Sequence, residues 1–198
     1  MKAILASFHA EYCQLIASRK KSVELRKNKP KIDVPFKVYM YETKGRMTLK
    51  AKAMTPWKNG KTMTDFYICE GRGKVIGEFI CDRIDIFEYE NGGFLVKGDI
   101  ATTQDVQAMS CLSDYEFRKY AGEKTVYGWH ISDLVIYDKP KELREFYAAC
   151  KMDCEYCEMW DSVRVNADEF DMDCKSDWFM HKPLTRPPQS WCYVEEVI

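Results

Sequence analysis

The chain has 198 residues, of which 46% are hydrophobic, enough to bury the core of one domain. It contains no run near the roughly 18 apolar residues of a membrane span, and its N-terminal stretch lacks the apolar segment of a secretory leader, so it reads as soluble and cytoplasmic. The net charge of −1 hides a split: residues 1–74 carry 17 Lys/Arg against 6 Asp/Glu, and residues 75–198 carry 13 against 25, so the basic half points to a polyanionic partner or to attraction between the halves.

In chain order, Tyr12, Leu15 and Ile16 lie one helical turn apart and predict a helix over 9–17. The stretch Ser18-Arg19-Lys20-Lys21-Ser22-Val23-Glu24-Leu25-Arg26 then changes the period from helical to two. Val23 and Leu25 face a core, leaving Ser22, Glu24 and Arg26 on the opposite face, with Lys21 at the strand mouth. Such a mixture of charges suits a planar, hydrogen-bonding, partly anionic ligand. It equally suits a solvated strand face held by a Glu24–Arg26 ion pair.

A proline-bounded loop over 28–35 leads to a strand at 36–43. Residues 44–73 form a long basic stretch in which Trp57, Phe66 and Tyr67 lie among Lys44, Arg46, Lys50, Lys52, Lys58, Lys61 and Arg72. Aromatics for stacking beside cations for phosphate are what single-stranded nucleic acid uses. Residues 75–81 read as a core strand, 84–87 extend it or begin the next, and Asn91-Gly92-Gly93 marks a turn. Ser113 and Glu116 have capping-box spacing, Phe117 and Tyr120 give the helix an apolar side, and Gly122 stops it. A strand over 127–137, a helix over about 141–149 and a final strand over 190–197 complete the pattern. Short strands with few helices between them predict an α+β domain on a small, mixed, largely antiparallel barrel.

Cys13, Cys69, Cys81 and Cys111 sit among apolar neighbours as small core residues. The other five crowd the end of the chain. Cys150-x3-Cys154-x2-Cys157, with Cys174 further on, can close a tetrahedral thiolate site for one structural zinc. That metal would hold together an acidic segment, which has nine Asp/Glu against three Lys/Arg over 150–178. Cys192 and His181 are further ligand candidates, and reduced cysteines packed among aromatics are the alternative.

Four blocks in order resemble a known family: Ser-x-Lys-Lys-x-x-Glu-x-Arg at 18–26, Val38-Tyr39-Met40-Tyr41-Glu42-Thr43, Gly73-Lys74-Val75-Ile76-Gly77-Glu78-Phe79, and Tyr127-Gly128-Trp129-His130-Ile131. Together they resemble the activating signal cointegrator homology (ASCH) domain of the PUA-like superfamily, over about residues 1–138, with Ser18 where glycine is usual. The resemblance implies a PUA-like β-barrel with flanking helices over residues 1–149, with 44–73 as a basic insertion. The ending Arg186-Pro187-Pro188-Gln189-Ser190-Trp191-Cys192-Tyr193-Val194 resembles C-terminal extensions of bacterial and phage members, and the cysteine-rich, metal-stabilised extension is expected over 150–198. It further implies a cleft for RNA or a modified nucleotide, lined by Lys20, Lys21, Glu24 and Arg26, with Tyr41, Trp129 and His130 as wall residues.

Some family members are amidohydrolases acting on N4-acylated cytidine, and these use a lysine, a threonine and a later glutamate. Lys21 matches the lysine, Glu24 stands at the threonine position, and Asp105 and Glu116 are candidates for the later acid. Catalysis, if present, would fall to Lys21 and Glu24. The departure at Glu24 favours binding. A third reading is a protein-interaction module whose acidic tail mimics nucleic acid.

Overall fold

A computed structural model describes residues 2–45, 51–57, 60–66, 72–97, 102–149 and 183–195, with backbone alone at 2, 51–57, 60–66 and 103. The first strand, β1 (Lys2–Phe8), precedes the predicted helix, which forms as α1 (Ala10–Ala17). Then follow β2 (Val23–Arg26), β3 (Phe36–Glu42), β4 (Ala51–Trp57), β5 (Gly60–Phe66), β6 (Lys74–Cys81), β7 (Ile84–Glu90) and β8 (Gly93–Lys97). Helices α2 (Thr103–Ser110) and α3 (Asp114–Ala121) lead to β9 (Val126–His130), β10 (Ser132–Lys141) and, at the end, β11 (Trp191–Glu195).

The strands make two open sheets and a separate hairpin, confirming a mixed, largely antiparallel α+β fold. The larger sheet has the order β10-β6-β3-β1-β11, with β1 and β3 its parallel pair, and the smaller has the order β2-β9-β7-β8. In the 44–73 stretch, β4 and β5 pair as an antiparallel hairpin from Ala51↔Phe66 to Trp57↔Gly60.

Burial on both faces explains why β1 escapes a period-two reading. Ile4, Phe8, Phe36, Met40 and Phe79 pack beneath α1 with Trp129 of the other sheet. On the opposite face, Leu5, Tyr39, Val75 and Val194 pack against Leu143 and Phe146. A strand buried on both sides shows a continuous apolar run rather than alternation. The smaller sheet has its own layer, where Val23, Leu25, Phe87 and Val126 meet Val106, Phe117 and Ala121 of α2 and α3. Burying Phe117 there contributes about 1.5–3 kcal/mol.

The structure corrects two elements. The predicted strand over 127–137 is two strands in different sheets, the chain crossing at Ile131, whose N–H donates to Ser22 O at 2.9 Å. A period of two is blind to such a change of partner. The predicted helix over 141–149 is replaced by a 3-10 turn at Leu143–Glu145. Leu143 and Phe146 both reach the core in one turn. Beyond it the backbone bridges Tyr147↔Pro183 and Ala148↔Val194 take the chain extended. A nine-residue helix is marginal alone, and strand pairing wins.

Two local features are needed for this packing. Asn91 and Gly92 both have left-handed φ, 49° and 82°, as a two-residue hairpin turn requires. A Cβ on Gly77 would lie 2.4 Å from Val135 O, so the residue's lack of a side chain lets β10 lie against β6. Among the described residues no helix is long and apolar enough to cross a membrane.

Candidate functional site

The end of α1 positions the site. Arg19 adopts φ 58°, and the N–H groups of Lys20 and Lys21 both donate to Leu15 O, at 2.9 and 3.1 Å. This satisfies carbonyls at the helix end and folds the chain back beneath it. Lys21 Nζ therefore lies 5.0 Å from the centre of the Tyr12 ring. β2 then points Val23 and Leu25 into the α2–α3 layer and leaves Glu24 and Arg26 on the other face, as alternation predicts.

Lys21, Glu24 and Arg26 are 3%, 8% and 6% exposed, so the charges form a buried cluster rather than a solvated edge. Glu24 Oε2 lies 3.3 Å from Lys21 Nζ, and its Oε1 lies 3.1 Å from Arg26 Nη2. Lys21 Nζ also donates to Ser110 O at 2.8 Å. Arg26 Nη1 donates to Ser190 O and Oγ at 3.1 and 3.3 Å, and Nη2 donates to Ser7 O at 2.9 Å. The guanidinium lies 4.7 Å from the Phe8 ring centre. Among the described residues its Nε finds no partner. Each charged group thus has polar partners, and two cations against one carboxylate leave the cluster net positive.

These residues floor a cleft of about 460 Å³. Phe8, Tyr12 and Tyr120 supply aromatic walls, Ser7 and Ser190 the far side, and Lys27 and Asn28 continue the lining from β2. Lys27 Nζ lies 5.1 Å from the Tyr120 ring centre, and Tyr120 OH donates to Leu25 O at 3.1 Å. Burial, aided by the charges of Glu11 and Glu24, pushes the Tyr12 phenol up to about 12, and burial raises that of Tyr120. Both rings are uncharged stacking surfaces at neutral pH.

The other predicted site residues lie elsewhere. Lys20 is exposed, and its carbonyl accepts from Cys111 Sγ at 3.2 Å. Tyr41 lies on the opposite face of the larger sheet, beside a second cavity of about 760 Å³ with Lys44 and Arg144. Burial there, with Glu142 nearby, raises its phenol pKa. Trp129 is fully buried, edge-on to Phe36 at 5.6 Å. His130 belongs to a separate buried network, its Nε2 2.7 Å from Asp85 Oδ2 with Arg83 Nη2 at 2.9 Å from Nδ1. Cleft lining therefore brings together Lys21, Glu24 and Arg26 and leaves out Lys20, Tyr41, Trp129 and His130.

Asp105 and Glu116 each close a helix cap, Asp105 Oδ2 accepting from Thr102 N at 3.2 Å and Glu116 Oε2 from Ser113 N at 2.9 Å. Hydrogen bonds from Ser113 hold the Glu116 carboxyl below its ordinary range. Cys13 and Cys81 are buried thiols whose pKa burial raises, that of Cys81 to about 12, while Cys111 and Cys192 are half-buried. Cys150, Cys154, Cys157 and Cys174 lie outside the described residues, as do Cys69 and the side chains of Trp57 and Phe66. Among the described residues no group of three or more His, Cys, Asp or Glu is placed to hold a metal. Sequence reasoning missed Phe8, Tyr120 and Ser190 as cleft residues. The signal available was Tyr120's place on the predicted apolar side of α3, which reaches Leu25 of β2.

The architecture and cleft define a two-sheet α+β domain with a buried charged triad at a helix-to-strand junction. This is the ASCH-type fold. The chain is similar to the crystal structure of ASCH from Zymomonas mobilis, with 16% identity, a TM-score of 0.50 and coverage of 98% of this chain and 88% of that one. A tyrosine-to-phenylalanine variant of the same Zymomonas mobilis protein matches with 17% identity, a TM-score of 0.50 and coverage of 99% and 92%. No protein-family model and no curated protein matches the sequence.

Proposed function

We propose that the cleft binds RNA or a nucleotide, holding one base between aromatic side chains over the Lys21–Glu24–Arg26 floor. The observation that carries this reading is a buried carboxylate, held by one cation at each oxygen, at the bottom of an aromatic-walled cleft. Aromatic faces stack bases without regard to sequence, and a buried carboxylate accepts from base N–H groups. Lys27 at the lining adds a cation for phosphate. The hydrolase reading has less support, because Glu24 stands at the threonine position and Asp105 and Glu116 are engaged in helix caps.

Fluorescence anisotropy of a labelled single-stranded RNA, measured across salt concentrations, tests the reading. Affinity is expected to fall as salt rises, and Lys27→Ala to weaken binding and reduce the salt slope by about 1. Tyr12→Ala is expected to weaken binding by about 1–3 kcal/mol through lost stacking. Absence of binding to any RNA or mononucleotide would overturn it. We further propose that Cys150, Cys154, Cys157 and Cys174 hold one structural zinc, on the strength of their spacing. Elemental analysis of the purified chain should give close to one zinc per molecule.

A further inference from the structure

We infer that the cleft prefers guanine, with Glu24 as the specificity-determining residue; this rests on the nucleotide-binding reading above. The polar groups of the triad that remain free decide which base fits. An arginine has five N–H donors. Those at Nη1 and Nη2 of Arg26 meet Ser190, Ser7 and Glu24, leaving Nε without a partner among the described residues. Lys21 has three donors, and Ser110 O and Glu24 Oε2 engage two of them. The two cations are therefore largely committed to holding Glu24 in place, and a phosphate clamp would need those bonds to break.

Glu24 keeps capacity. A carboxylate offers about four lone-pair sites, and one cation contacts each oxygen here. It is the carboxylate that lines the cleft among the described residues, and its side chain is 10% exposed. The floor thus presents, side by side, a lysine donor and two carboxylate acceptors.

Of the base edges, guanine complements that order best. Its O6 accepts from the remaining Lys21 donor, while N1–H and N2–H donate to the two Glu24 oxygens. Cytosine offers one donor, N4–H, beside the N3 acceptor, and so meets one oxygen only. Uracil presents a lone N3–H between two carbonyls that face the carboxylate unfavourably. Adenine donates from N6 alone. The base would stack against Tyr12, Tyr120 or Phe8, with its phosphate toward Lys27.

Calorimetric titration of the full chain with GMP, IMP, CMP, AMP and UMP tests this. GMP is expected to bind about tenfold tighter than the other standard nucleotides, the lower part of the range for one bidentate base contact. IMP, which lacks the N2 amino group, should fall several-fold below GMP. Glu24→Gln, checked for folding by circular dichroism, should abolish the preference while weak binding persists. If that variant does not fold, the GMP–IMP contrast on the native chain decides. Equal affinities for all nucleotides, or tighter binding of CMP or AMP, would overturn the guanine assignment and leave nucleotide binding standing. Failure of every nucleotide and RNA to bind would overturn both.

Discussion

Two buried clusters of charge flank β9, and they do different things. On the β2 side, Glu24 sits between Lys21 and Arg26, opens on a cleft, and has its cations tied to backbone carbonyls of distant segments. On the β7 side, Asp85 is 1% exposed and binds His130, with Arg83 beside both. That second cluster joins the two corners where the chain passes between sheets: His130 N also donates to Arg83 O at 3.0 Å. One cluster leaves acceptor capacity facing a cavity, and the other turns its groups on one another. A buried charge is thus no guide to function until its partners have been counted.

The largest expected effect separates the two through stability. Glu24→Ala leaves two cations, 2% and 7% exposed, without their carboxylate, and should destabilise the fold by roughly 3–5 kcal/mol in denaturant melts. Asp85→Ala should lose less, about 2–3 kcal/mol, because Arg83 is 36% exposed and can turn to water. If the clusters differ as described, the Asp85 variant keeps the nucleotide affinity of the native chain and the Glu24 variant does not. Ser190→Ala removes one hydroxyl contact to Arg26 and should change stability by about 1 kcal/mol, with a visible loss of affinity.

The smallest effect comes from outside both clusters. The folded-state pKa of Glu116 lies below its ordinary value of 4.5 because Ser113 donates to it. Such a group stabilises the fold above its unfolded pKa, and the contribution is lost as pH falls through the folded value. Glu116→Gln should therefore flatten the acid limb of a melting-temperature profile below about pH 4.5 and leave pH 7 binding unchanged.

The charged floor of the cleft was legible in the chain because its chemistry is local. Nine consecutive residues carry the helix stop, the change of period and all three charges, and the Ser113–Glu116 cap needs no distant contact. What stayed hidden depends on partners far away. Trp129 and His130 sit next to each other, yet one fills the core and the other meets Asp85, and no spacing within residues 127–131 distinguishes them. Arg83 lies in the corner just before β7 and Asp85 within it, and nothing local links either to residue 130. β8 and α2 are also weakly signalled: β8 is half-buried, and the one local mark of α2 is a capping box at Thr102 and Asp105.

Arg26 and Ser190 are separated by 164 residues, and Ser7 meets the same serine through its own backbone N–H. This separation sets an order of events during synthesis. Helix α1 and strand β2 emerge early, yet the guanidinium has no carbonyl of residue 190 to meet until nearly all of this sequence has been made. Nascent chains that lack residue 190 hold the charge cluster without its far wall, and the guanidinium gains these partners only once the segment around Ser190 has emerged.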